Sequence, residues 1–306
     1  MKYCRFCGKQ LRDNAKFCSG CGNQCAEAPA ESAQKPEVSK IPTQVEVYQD
    51  SLAPYLEPSQ QSEPSKSPTE IYESVMQGST MKYDVDIVMC IDATASMGPF
   101  LDLVKSQALN LYGDIKRKME VELETPKYID ELRVRVIAFR DYLADGEQAM
   151  LTSGFYSLPA QAEEFETLIR DIQPKGGGDY PEDGLEALAY AIKSKWNTNT
   201  GNKYRQVIVI WTDDGTHDLG YGRKAPNYPT KMPESFAELT EWWGFSQSPG
   251  VMDDDAKRLL IYAPAKEWWT TITETWNNTL LFASQAGKGL DHLTYDEILS
   301  AIAMSI

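Results

Sequence analysis

The stretch DIVMCIDATASMGPF, residues 86–100, decides how this chain is read. An apolar run, Ile87-Val88-Met89-Cys90-Ile91, stops at Asp92-Ala93-Thr94-Ala95-Ser96. A short run that is apolar on both alternations is a strand buried on both faces. Alternate residues of an extended segment point the same way, so Asp92, Thr94 and Ser96 converge where the strand ends. One acid and two neutral hydroxyls are hard oxygen ligands of low charge, which suits Mg²⁺ in octahedral geometry. Alone, this D-x-T-x-S triple is a weak signal, because Ser- and Thr-containing loops produce it by chance.

Outward from that stretch, strands and helices alternate. GPFLDLVKSQALNLYGDIKRKME (98–120) has helical spacing, with Pro99 in the first turn, where its missing N–H does no harm. Strands are expected at LRVRVIAFRD (132–141), RQVIVIWT (205–212), KRLLIYAP (257–264) and NTLLFAS (278–284). Helices are expected at 159–172, 184–196, 267–276 and 294–306. Alternation with near-continuous apolar strands predicts a doubly wound, Rossmann-like α/β fold with a mainly parallel sheet. Ligands of such folds sit outside the carboxyl ends of the strands. No GxGxxG follows a strand, so a dinucleotide fingerprint is absent.

Two further loops belong to that edge. GGGDYPEDG (176–184) presents Asp179 before a helix, and IVIWTDDG (208–215) ends a strand at Asp213 and Asp214. Three acidic loops on one edge repel one another unless a cation lies between them. The plainer reading is helix capping by Asp and turn formation by Gly-Asp.

The combination resembles the von Willebrand factor A domain with its metal-ion-dependent adhesion site. The resemblance covers residues 81–306 and rests on DATAS, GGGDYPED and WTDDG. It implies Mg²⁺ (or Mn²⁺) bound directly by Thr94 and Ser96, with Asp92 and Asp213 acting directly or through water. Asp213 is preferred over Asp214 because Thr-Asp matches the family pattern. Thr94 stands where Ser is usual, and Asp179 where many members have Thr. A third carboxylate leaves the ion less residual positive charge, so the expectation is tight metal binding with weaker capture of an outside carboxylate.

At the amino terminus, CRFCGKQLRDNAKFCSGCG holds two Cys-x-x-Cys pairs, Cys4 with Cys7 and Cys18 with Cys21. Two such knuckles make a tetrahedral thiolate site for structural Zn²⁺, whose binding supplies the folding energy that so short a module lacks. The stretch resembles the short zinc ribbons of many prokaryotic proteins. Residues 26–80 carry seven prolines among many Ser and Glu and read as a disordered, extended linker. The expected organisation is therefore a zinc ribbon at 1–25, a linker at 26–80 and an α/β domain at 81–306.

The chain has 306 residues and a net charge of −15. That acidity argues against nucleic acid as a partner. No apolar run approaches the roughly 20 residues that span a bilayer. The first residues lack an apolar signal core, so a cytoplasmic location is expected. Cys90 reads as a small buried hydrophobe. His217 is a candidate near the metal, or else a solvated or capping residue. Trp242, Trp243, Trp268, Trp269 and Trp276 read as helix packing or as a binding face, and the segment 218–233 as a place for partner contacts.

The expected function is non-catalytic protein interaction, a partner Asp or Glu completing the Mg²⁺ coordination and the zinc ribbon adding a second contact. The resemblance implies a prokaryotic multi-protein signalling or defence system, with kinase or phosphatase association. The alternative is a Mg²⁺-dependent hydrolase or phosphoryl-transfer enzyme. Against it, Thr94 stands where a second Asp would be needed, and no Ser–His–Asp set is evident.

Overall fold

The computed structural model describes residues 82–123, 126–177, 181–198 and 201–306, together with the backbone of 2–3 and 10–11. The expected zinc ligands Cys4, Cys7, Cys18 and Cys21, the linker 26–80, and Asp179 lie outside the described residues. The chain divides into two units, Met1–Glu63 and Pro64–Ile306. In the first, the described backbone forms a short antiparallel pairing, Lys2 opposite Leu11 and Tyr3 opposite Gln10.

Six strands form the sheet of the second unit: β1 (Lys82–Asp92), β2 (Tyr128–Phe139), β3 (Met150–Leu158), β4 (Lys203–Trp211), β5 (Lys257–Pro264) and β6 (Thr279–Ser284). Their order is β6-β5-β4-β1-β2-β3, parallel except for β3. Helices α1 (Gly98–Gln107), α2 (Leu111–Arg117), α3 (Ala162–Asp171), α4 (Gly184–Ile192), α5 (Phe236–Trp243), α6 (Glu267–Thr275) and α7 (Tyr295–Ser305) flank it. This is the doubly wound α/β architecture expected from the sequence.

The central strand explains the two-layered cover. Along β1, Val85, Ile87, Met89 and Ile91 enter one core with Phe100 and Leu101 of α1, Ile115 of α2, Phe165 of α3 and Ile302 of α7. Val88 and Cys90 enter the other with Leu188 of α4, Trp243 of α5 and Trp269 of α6. A period of two in side-chain direction forces this division, so both parities must be apolar. Cys90 is fully buried, its thiol pushed up by desolvation and directed at the Ala187 carbonyl at 3.8 Å. Trp243, Trp269 and Trp276 are buried, and Trp243 stacks on Trp276 at 5.3 Å. Those three rings are therefore packing elements.

Three elements depart from the sequence expectation, the first being helix α5, which was not expected. The helix read over 98–120 is broken by a 3₁₀ turn at Ala108–Asn110 and ends in a π turn at Lys118–Glu122. Asn110, a weak helix former, sits in the break, and Gly113 follows it in the first turn of α2. The edge strand β3 was not expected. Ten residues separate it from β2, too few for the crossover that a parallel neighbour requires, so it returns antiparallel.

Candidate metal centre

Strand order reverses between β1 and β4, because β2 lies on one side of β1 and β4 on the other. Loops leaving the carboxyl ends diverge at such a point and open a crevice. Asp92 closes β1, and Thr212-Asp213-Asp214 follow β4, so the two acidic loops face each other there.

The side chains form one continuous chain of oxygens. Thr94 donates to Asp92 Oδ1 through its amide at 2.9 Å and its hydroxyl at 2.6 Å. Ser96 Oγ donates to Asp213 Oδ1 at 3.0 Å. The two hydroxyl oxygens lie 3.3 Å apart. A hydroxyl has one proton, and both protons are directed at the carboxylates. Thr94 and Ser96 therefore turn lone pairs toward each other. The far carboxylate oxygens are anchored to the scaffold: Thr212 Oγ1 donates to Asp92 Oδ2 at 2.8 Å, and the Gly289 amide donates to Asp213 Oδ2 at 2.8 Å.

Asp92, Thr94 and Asp213 are buried and Ser96 is half-buried, so the cluster opens outward at Ser96. Burial pushes Asp92 up to about 6 against the hydrogen bonds of Thr94 and Thr212, and the charge of Asp213 adds to the rise. Two buried acids this close favour a cation between them. The donor set fits a hard divalent ion, since converging hydroxyl and carboxylate oxygens are what such ions take. Among the described residues no group of three or more His, Cys, Asp or Glu is placed to hold a metal, so a ligand set drawn from them includes the hydroxyls.

Asp214 is differently employed. Its Oδ1 pairs with Lys266 Nζ and accepts from the Gly215 amide at 2.6 Å. Asp179 is not described, but its described flanks are: a Cβ on Gly177 would lie 3.2 Å from Thr94 Cβ, and Glu182 bridges Thr216. His217 is neither solvated nor turned to the four-residue chain. Its Nε2 lies 3.0 Å from Asp141 Oδ2, and its ring stacks on Tyr221 at 3.7 Å. The segment 218–233 is pinned to α4, where buried Glu186 accepts from the Gly220 amide at 2.7 Å and from Tyr228 at 2.9 Å.

Three contributors escaped the sequence reading. Thr212 lies inside a motif that was singled out for its acids. Arg140 follows β2 and ties several rim loops together through their carbonyls. Gly289, in the loop between β6 and α7, sits at φ +57°, and a Cβ there would lie 2.2 Å from the Ser96 carbonyl oxygen. Gly289→Ala therefore combines backbone strain with a main-chain clash. Its expected cost is about 2 kcal/mol, read as a lower urea midpoint. An unchanged midpoint would mean that the loop relaxes freely.

Comparison with known proteins gives several distant likenesses. A zinc-ribbon domain model matches residues 3–24. The alpha-protein kinase vwkA of Dictyostelium discoideum is 24% identical over 152 residues, 49% of this chain and 21% of that protein. Integrin beta pat-3 of Caenorhabditis elegans is 24% identical over 248 residues, 72% of this chain and 30% of that protein. The chain thus spans less than a third of the length of the curated relatives it matches. Similar solved structures include proximal thread matrix protein 1 of the mussel byssus with a zinc-occupied MIDAS motif, at 13% identity and TM-score 0.39, covering 73% of this chain and 48% of that one. Another is the pilus adhesin SpaC of Lactobacillus rhamnosus GG, at 12% identity and TM-score 0.41, covering 72% and 30%. A zinc-ribbon model thus covers residues 3–24, and the described residues from 82 onward form a doubly wound α/β domain. Among the described residues no helix is long and apolar enough to cross a membrane.

Proposed function

We propose that the protein is a non-catalytic interaction module that captures a partner's Asp or Glu at a Mg²⁺ or Mn²⁺ site. Asp92, Thr94, Ser96 and Asp213 hold the ion, with Asp179 as a further ligand. The bound ion supplies an open Lewis-acidic position for the outside carboxylate. Thr94 and Ser96 offer neutral oxygens, while Thr212 and Gly289 hold the two acids in place from behind. The observation that carries this reading is the unbroken run of oxygens from Asp92 through Thr94 and Ser96 to Asp213 across the switch point.

In the same reading, Cys4, Cys7, Cys18 and Cys21 hold Zn²⁺ in a ribbon at 1–25, tethered through 26–80 to the domain at 81–306. Two tethered contacts on one assembly raise the effective concentration of the second. The setting is cytoplasmic, in a prokaryotic multi-protein signalling or defence system associated with a kinase or phosphatase.

Calorimetry and a pulldown comparing the wild type with Asp92→Ala/Ser96→Ala test the proposal. The wild type takes up Mg²⁺ or Mn²⁺ and retains a partner in a metal-dependent way; the double variant does neither. Equal metal uptake by both proteins would refute the assigned site. Robust phosphate release that disappears in Asp92→Ala would favour an enzyme instead.

A further inference from the structure

The opposite edge of the sheet has the opposite chemistry. Lys127 precedes β2, Arg205 lies near the start of β4 and Arg258 near the start of β5. These are the amino ends of parallel strands, whereas Asp92 and Asp213 are at the carboxyl ends. The three cations line one groove of about 460 Å³, together with Leu280, Met304 and Ser305. In a chain of net charge −15, such a concentration of positive charge runs against the average surface.

Among the described residues, none of the three forms an ion pair with a carboxylate side chain. The side-chain bonds of Arg205 and Arg258 go to the main chain. Arg205 Nε donates to the Ile306 oxygen at 2.9 Å and its Nη1 to the Tyr204 oxygen at 3.0 Å. Arg258 Nη1 donates to the oxygens of Asp255 at 3.1 Å and Lys257 at 2.6 Å. The Asp255 and Lys257 carbonyls fix the Arg258 guanidinium in place without neutralising it. Burial and the charges of Arg205 and Arg258 hold the Lys127 ammonium below its usual range. Burial and Arg205 do the same to Arg258, opposed by Asp255 and Asp254.

We propose that this groove binds a phosphate-class oxyanion carried on a small, partly apolar molecule. Lys127, Arg205 and Arg258 hold its oxygens, and its apolar part lies on Leu280 and Met304. A monocarboxylate brings one charge and two oxygens, whereas a phosphate monoester brings up to two charges and three oxygens. Guanidinium groups match those oxygens in geometry. Leu280 and Met304 are 56% and 66% exposed, large apolar side chains left open beside the cations. The site is independent of the metal at the other edge.

The test uses the full chain with no added divalent cation, titrated with inorganic phosphate and with phenyl phosphate and followed by phosphorus NMR or calorimetry. Both probes bind, phenyl phosphate more tightly, and added salt weakens both. Lys127→Gln/Arg258→Gln lowers the affinity about tenfold or more, as expected for charged hydrogen bonds. Lys127→Gln alone gives part of that loss with an unchanged unfolding midpoint. Failure of the wild type to bind either probe would overturn the proposal. So would binding that survives in Lys127→Gln/Arg258→Gln but is lost in Asp92→Ala/Ser96→Ala, because the anion would then sit at the metal edge.

Discussion

Replacing Arg140 by Ala is expected to destabilise the α/β unit by about 4 kcal/mol and to loosen several rim loops at once. Arg140 is buried at the end of β2. Its Nε donates to the carbonyls of Ala93 at 2.9 Å and Lys175 at 2.7 Å, Nη1 to Gln148 at 2.6 Å, and Nη2 to Gln173 at 2.7 Å. These four acceptors come from the segment after β1, the approach to Gly176-Gly177 and the turn before β3. Each acceptor left without a donor costs about 1–3 kcal/mol, and partial access of water to the space reduces the sum. Arg140→Lys recovers only part, because one ammonium cannot reproduce the planar fork. Urea unfolding measures the loss. Faster amide exchange at Lys175, whose N–H bonds to Ala93, and at Asp183, whose N–H bonds to Arg140, reports the loosening. A loss below about 1 kcal/mol would show that water replaces the guanidinium without cost.

Asp213→Asn and Asp214→Asn are expected to separate cleanly although the residues are adjacent. On the proposed function, Asp213→Asn lowers Mg²⁺ affinity about 100-fold or more, since it removes a charged ligand that Ser96 and Gly289 hold in place. Asp214→Asn leaves the affinity within a few-fold, because the Asp214 carboxylate is engaged with Lys266 and the Gly215 amide. Lys266 is half-exposed, so losing the pair costs at most about 1 kcal/mol. Calorimetry on both variants decides it. A larger effect at Asp214 would reverse the assignment and require the loop after β4 to rotate on metal binding.

How much of this was legible depends on the range over which each feature is encoded. β1, β4 and β5 were legible because burial on both faces demands an unbroken apolar run. α7 was legible from its helical period, and its capping box at Thr294 and Glu297 uses residues three apart. β3 was not, because an edge strand need bury little, and MLTSGFYSL mixes exposed and half-buried positions. The helix over 98–120 was read too long, since its apolar spacing continues through the turn that interrupts it.

The candidate site divides in the same way. The sequence by itself placed an acid and two hydroxyls just at the end of β1, but the alternation expected there does not hold beyond Thr94: Ser96 lies in a 3₁₀ turn, Ala95–Met97, and the turn brings its hydroxyl to Thr94. The sequence also determined the acidity of the loop after β4, and hence that some cation or capping group had to balance that edge. The tertiary structure brings Asp213, the residue preferred from the family pattern, to Ser96 through a contact 117 residues apart along the chain. It alone placed His217 against Asp141, Arg140 beneath the rim loops and Gly289 behind Asp213. These placements depend on strand order and loop closure, which bring distant residues together through the packing of the whole sheet, and no local period records them.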